Sequence, residues 1–177
     1  MSQERKLILY IAMSLDGYIA DQQEDLGFLS TVEQPGEDYG YAAFTQTVDA
    51  VILGRKTYEK VLAMGFEYPH TDKEVYIITR TARPPAGPFQ FYTGSLKTLV
   101  ESLKSKPGKN IYCDGGAEIV HELASQQLID EYIISIIPIL LGGGIRLFKA
   151  GIPTQELTLL SAKSFEKGLL QVHYKTK

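Results

Sequence analysis

Apolar residues run along this chain in two rhythms. Leu7–Met13, Ala50–Leu53, the Val-Tyr-Ile-Ile core of Glu74–Thr79, Phe89–Tyr92, Asn110–Cys113 and Asp130–Ile137 are short runs of strand length without helical spacing. Such runs suit strands buried on both faces of a parallel sheet. Between them the spacing turns helical. Tyr41, Phe44 and Val48 mark a helix over Glu37–Val48, and another opens at Arg55 and ends near Gly65. Leu96, Leu99, Val100 and Leu103 follow Ser95, a suitable N-cap, and Ile119, Val120 and Leu123 lie on one face of Ala117–Ala124. Two last strands, Leu157–Phe165 and Leu169–Tyr174, flank Glu166-Lys167-Gly168 as a hairpin. Strands alternating with helices, closed by a hairpin, predict an α/β domain over 1–177: a mostly parallel central sheet with antiparallel C-terminal edge strands.

One segment breaks the rhythm. After the first strand, Asp16-Gly17 signals a turn, and the chain stays polar and irregular until Pro35-Gly36. A loop of that length is either a binding loop or lid, or a surface excursion.

Composition mainly excludes. At 177 residues the chain is long enough for a sizeable core. A net charge of −3 gives no electrostatic case for nucleic acid or an anionic membrane. The single cysteine, Cys113, excludes an internal disulfide framework and a cysteine-based zinc site, and fits a reducing cytoplasm. His70, His121 and His173 are dispersed and give no metal-ligand spacing, and no apolar run reaches membrane-spanning length.

The candidate chemistry clusters where strands end. In parallel sheets ligands bind beyond the carboxyl ends of the strands. Gly54-Arg55-Lys56-Thr57, Thr79-Arg80 and Asp114-Gly115-Gly116 all fall there. Gly54 permits a sharp turn and close approach of a ligand, and the helix start after it attracts anions. Two cations and a hydroxyl in that first turn suit a phosphorylated ligand; the alternative is an ordinary strand–helix junction with a solvated Arg-Lys pair.

Four segments, Ala12-Met-Ser-Leu-Asp-Gly-Tyr-Ile-Ala20, Asp49-Ala-Val-Ile-Leu-Gly-Arg-Lys-Thr-Tyr-Glu59, Asp114-Gly-Gly-Ala117 and Pro138-Ile-Leu-Leu-Gly-Gly-Gly144 with Phe148, carry a resemblance over nearly the whole chain. In order and spacing they resemble the dihydrofolate reductase superfamily, and more closely its branch containing the C-terminal reductase domain of bacterial riboflavin biosynthesis. The resemblance implies a three-layer dihydrofolate reductase-like fold and an NADPH-dependent reductase. It implies that Arg55, Lys56 and Thr57 take the 2′-phosphate and pyrophosphate, with Thr79 and Arg80 as a second contact. It places Gly54, Asp114, Gly115, Gly116, Ala117 and Glu118 along the cofactor, the glycine pair often joined by a cis peptide. Backbone groups of Ala12 and Ile19 would hold the nicotinamide. A small-molecule substrate would sit among Ser14, Tyr18, Tyr41, Leu141, Gly142 and Gly143, with Asp38 and Asp16 as candidate catalytic carboxylates. A homodimer is implied too, with Ile133–Ile137 either at its interface or buried within one subunit.

Departures leave alternatives open. Asp114 replaces the first glycine of the folate reductases' glycine-rich turn, and the chain has no tryptophan, Tyr58 standing where those enzymes carry one. Asp38 lies where folate reductases bind the pterin ring, or it is a first-turn helix charge. Asp16 binds substrate hydroxyls or stabilises its turn, and Gly142–Gly144 offers amides to a phosphate or makes a tight crossover. The first named activity is reduction of 5-amino-6-(5-phosphoribosylamino)uracil, although no Cys/His deaminase signature accompanies it. Dihydrofolate reduction and non-catalytic NADP binding are the alternatives.

Overall fold

The computed structural model describes residues 4–177; the first three residues of the domain predicted over 1–177 lie outside them. In chain order the elements are β1 (Leu7–Ser14), β2 (Tyr18–Ala20), a 3₁₀ turn (Gly27–Val32), α1 (Tyr41–Thr45), β3 (Val48–Gly54), α2 (Arg55–Ala63), β4 (Glu74–Ile78), β5 (Phe89–Tyr92), α3 (Leu96–Lys104), β6 (Asn110–Gly115), α4 (Ala117–Ser125), β7 (Glu131–Ile137), β8 (Ile145–Arg146), β9 (Leu157–Ser164) and β10 (Leu170–Thr176). Eight strands form one sheet in the order β5-β4-β3-β6-β1-β7-β10-β9. The first six in that order are parallel, and β10 and β9 continue the sheet antiparallel. The predicted α/β architecture with antiparallel C-terminal strands is the one observed.

Alternation along β1 explains the layers. Leu7 and Leu9 point into a core shared with Leu96, Leu99, Val100 and Leu103 of α3 and Val120 and Leu123 of α4. Ile8 points the other way, joining Val51, Leu53, Ile77, Phe44 of α1 and part of α2. With both faces covered, the central strands need no polar side, as their continuous apolar runs predict. Ser95 caps α3 by accepting a hydrogen bond from the Thr98 amide.

Three expectations need correction. The helix predicted over Glu37–Val48 is only Tyr41–Thr45. Tyr39 (φ 56°) and Gly40 (φ 83°) are left-handed, which blocks an earlier start, and β-branched Val48 opens β3 instead. The segment after Gly17 is not wholly irregular: β2 pairs with β8, so Tyr18 lies opposite Arg146. Finally, Ile133–Ile137 cannot pair across a dimer, because β7 is hydrogen-bonded to β1 on one side and β10 on the other. The free edge on that side of the sheet is β9, beyond β10, where Leu157, Leu159 and Leu160 are exposed.

Among the described residues no helix is long and apolar enough to cross a membrane, and no cluster of His, Cys, Asp and Glu could hold a metal ion.

Candidate functional site

The strand ends converge as the parallel pattern requires. Leu53 of β3 is in register with Gly115 of β6, so α2 and α4 start side by side. The Gly115–Gly116 peptide between β6 and α4 is cis. The packing here is close. A Cβ on Gly116 would sit 3.1 Å from Thr57 Oγ1, and one on Gly54 would sit 3.2 Å from the Ile119 side chain, so any larger residue would make these neighbours give way. The Thr57 hydroxyl and the Gly116 backbone face each other across a narrow gap that a side chain at 116 would crowd. Neither α2 nor α4 has a side-chain cap at its N-terminus. Their first-turn N–H groups add to the positive ends of both helices, the arrangement that receives a phosphate group.

Cations stand on the segments that follow the neighbouring strands β3 and β4. Lys56 and Arg80 are exposed. Arg55 donates to Glu59 at 2.6 Å, and Arg83 lies 3.5 Å from the same carboxylate. The Arg55 hydrogen bond holds the Glu59 carboxyl below its usual range. Thr79 is buried, and its Oγ1 accepts from the Thr81 amide at 3.2 Å, shaping the turn that carries Arg80. Glu118, in the first turn of α4, is neutralised by an ion pair with Lys149. Ala117 is buried beneath that turn. Asp114 accepts from Tyr68 Oη at 2.6 Å and Tyr112 Oη at 2.8 Å, so its carboxylate is held on the α2 face of the sheet. Burial, followed by the charge of Asp114, pushes both phenols well above their ordinary range.

A groove of about 930 Å³ opens on the same face, over β1 and β7. Register builds its floor: Ala12 pairs with Ser135, and Ser135 with Gln171, placing three strands' side chains in one row. Gln171 Nε2 lies 3.1 Å from Tyr10 Oη, Ser135 Oγ and the Tyr39 carbonyl. Leu29 and Val32 of the 3₁₀ turn, with Ile137 and Leu169, make the apolar walls. Glu33, Glu37 and Asp38 stand at the rim. Tyr39 closes one side, its left-handed backbone fixed by hydrogen bonding of its hydroxyl to the Val32 carbonyl.

Of the residues expected here, Ala12, Asp38 and Tyr41 line the groove. Asp38 stands at the groove rim and accepts from the Ala42 and Gly40 amides, each at 2.9 Å; because α1 starts only at Tyr41, it is not the first-turn helix charge that a helix over Glu37–Val48 would have made it. Those bonds hold its carboxyl below the usual range, so it is ionised at neutral pH. Tyr41 Oη lies 2.8 Å from His70 Nε2. Burial raises the Tyr41 phenol to about 12 and lowers His70, keeping the imidazole neutral.

The other expected substrate residues lie outside the groove lining and share a loop framework. Asp16 accepts from Ser14 Oγ at 2.6 Å, the Gly142 amide at 2.7 Å and the Leu141 amide at 3.1 Å. The Ser14 bond, with the two amides, holds the Asp16 carboxyl down at about 2. Ser14 is fully buried and also accepts from the Tyr18 amide at 2.9 Å. Gly143 is packed against Gln22, where a Cβ would lie 2.6 Å from Nε2. The Tyr18 ring lies under the Arg146 guanidinium, 4.8 Å from its centroid, and Ile19 packs against the α3–α4 core. Asp16 thus pins the start of the Gly142–Gly144 stretch through the Leu141 and Gly142 amides.

Tyr10, Ser135 and Gln171 were not foreseen as a floor. Tyr10 and Ala12, like Ser135 and Ile137, are two apart on a strand and so share a face, a signal readable once the strand order is known. A second, polar hollow of about 530 Å³ lies at the opposite, amino end of β3. Its lysines are engaged, Lys73 with Asp72 and Lys109 with the Gln46 carbonyl.

Comparison with known proteins gives a consistent picture. A model of the RibD C-terminal domain matches residues 5–171. The uncharacterized protein YwjB of Bacillus subtilis (strain 168) is 40% identical over 172 residues, covering 97% of this chain and 98% of YwjB. A crystal structure of a putative riboflavin biosynthesis protein from Shewanella sp. PV-4 superposes with a TM-score of 0.88 at 31% identity, over 100% of this chain and 99% of that one. Dihydrofolate reductase from Enterococcus faecalis, solved with NADP(H), shares the fold at 16% identity and a TM-score of 0.68, over 100% of this chain and 99% of that one.

Proposed function

The chain belongs to the RibD C-terminal domain family, and from that premise we propose that it is an NADPH-dependent reductase acting on a C=N or C=O carbon of a pyrimidine- or pterin-type substrate. One observation carries the reading: the gap between Thr57 and Gly116, flanked by two uncapped helix starts, with Arg55 and Lys56 in the first turn of α2 and Arg80 just beyond β4, on the same sheet as the groove over Ala12. When bound, NADPH supplies the hydride. The residues fit it. The Gly116 backbone and the first turns of α2 and α4 receive the pyrophosphate, and Arg55 and Arg80 select the 2′-phosphate over a free hydroxyl. Ala12 leaves room for the nicotinamide to reach the groove. Asp38, ionised at the rim, pairs with an aminopyrimidine edge and raises its proton affinity. Water delivers the proton.

The test offers 5-amino-6-(5-phosphoribosylamino)uracil, dihydrofolate and their unconjugated counterparts in parallel, following loss of the reduced-nicotinamide absorbance. Turnover of at least one, reduced about a hundredfold in Asp38→Asn, is the expected result. Tight NADPH binding without turnover of any would leave the non-catalytic NADP-binding alternative in its place. A homodimer accompanies the reading, with the exposed leucines of β9 as its support; a dimer mass by light scattering is expected.

A further inference from the structure

The two parts of the site differ in charge. Arg55, Lys56, Arg80 and Arg83 lie on the segments following β3 and β4, the side where the cofactor phosphates are placed, whereas among the described residues no Lys, Arg or His lines the groove. Its rim carries Glu33, Glu37 and Asp38 instead. The Leu141 and Gly142 amides of the glycine-rich loop donate to Asp16. Lys163 sits over the Phe165 ring, 4.5 Å from its centroid, and Lys167 is exposed in the β9–β10 turn; neither lines the groove. A phosphate or carboxylate entering a partly desolvated groove needs cationic or N–H partners, and like charges at the rim oppose it. What the groove does offer is a polar floor of Tyr10 and Ser135, both tied to Gln171 Nε2, between apolar walls. That suits a flat ring with a hydrogen-bonding edge.

We propose that the substrate is a non-anionic nitrogen heterocycle, carrying neither a phosphate ester nor a glutamate tail, whose amino or protonated ring nitrogens face the acidic rim. This rests on the reductase reading and narrows it: a reduced pterin without the aminobenzoylglutamate, or an aminopyrimidine with a dephosphorylated sugar side chain, fits the groove, and the phosphoribosyl compound does not.

The experiment uses matched pairs of ligands titrated into the full chain saturated with NADPH: pterin against folate, and the dephosphorylated against the phosphorylated ribosylaminopyrimidine. The non-anionic member of each pair is expected to bind about tenfold tighter or better, and in Glu33→Gln/Glu37→Gln the gap narrows because the rim repels less. Added salt narrows it as well. Equal or tighter binding of the anionic members, or no binding by any of the four, overturns the proposal. A preference for the anionic members that disappears in Lys163→Ala/Lys167→Ala would show which cations had been misjudged. A separate NADPH titration reports on the reductase reading, so the two failures are distinguishable.

Discussion

The cofactor edge and the substrate groove share one sheet but are assembled differently. At the edge, each recognition element is a contiguous piece of chain: Gly54-Arg55-Lys56-Thr57, Thr79-Arg80 and Gly115-Gly116 each follow directly from a strand end. In the groove, the floor is a row across β1, β7 and β10 whose members, Ala12, Ser135 and Gln171, are far apart in sequence. The edge is rich in cations, and the groove has carboxylates at its rim and no cation in its lining. Recognition of a phosphate relies on backbone amides and helix starts, which a short motif can encode. Recognition of a ring relies on side chains that only strand order brings together.

Mutations sort along this division. The largest effect is expected from Gly116→Val, whose side chain fills the space before Thr57 Oγ1. NADPH affinity should fall by roughly a hundredfold or more, about 3 kcal/mol, while a groove ligand still binds; titration of each ligand separately checks both halves. Asp38→Asn should do the reverse, lowering turnover by about a hundredfold with NADPH affinity kept. Stopped-flow and binding measurements on the same preparation would separate the two. Comparable losses of NADPH affinity in both variants would remove the division.

Arg80→Ala and Arg55→Ala should cost less, about 1.5–3 kcal/mol each in NADPH binding with little change for NADH, because only the charge-assisted contact to the 2′-phosphate is lost. The smallest effect concerns pH. Burial lowers the His70 pKa in the fold, so the unfolded chain, with an ordinary value near 6.5, takes up a proton that the folded chain refuses. This contribution is absent above about pH 6.5 and becomes destabilising as pH falls below it. His70→Gln should flatten that part of the stability–pH curve, measured by denaturant unfolding at several pH values. An unchanged slope would mean that the imidazole does not discriminate between the two states.

The sequence made legible what local rules determine. β5 was predicted with its observed bounds, and α3 begins after the Ser95 cap, whereas the cis peptide at the glycine pair was implied only by the family resemblance. Local rules failed where tertiary contacts override them. Tyr41, Phe44 and Val48 have helical spacing, yet the left-handed Tyr39–Gly40 step leaves α1 a single short turn and Val48 joins the sheet. β8 has two residues and therefore no period to read, so its pairing with β2 is set by the fold around it. Asp16 resembles a candidate catalytic carboxylate because its three donors come from Ser14 and from a loop more than a hundred residues later, a contact no local pattern contains.

The central claim is that the Thr57–Gly116 gap and its cations bind NADPH. The most direct measurement is calorimetric titration of NADPH and NADH into the full chain. Binding of NADPH at least about tenfold tighter than NADH, with that preference lost in Arg55→Ala/Arg80→Ala, is the expected result. Failure of NADPH to bind at all would contradict the account.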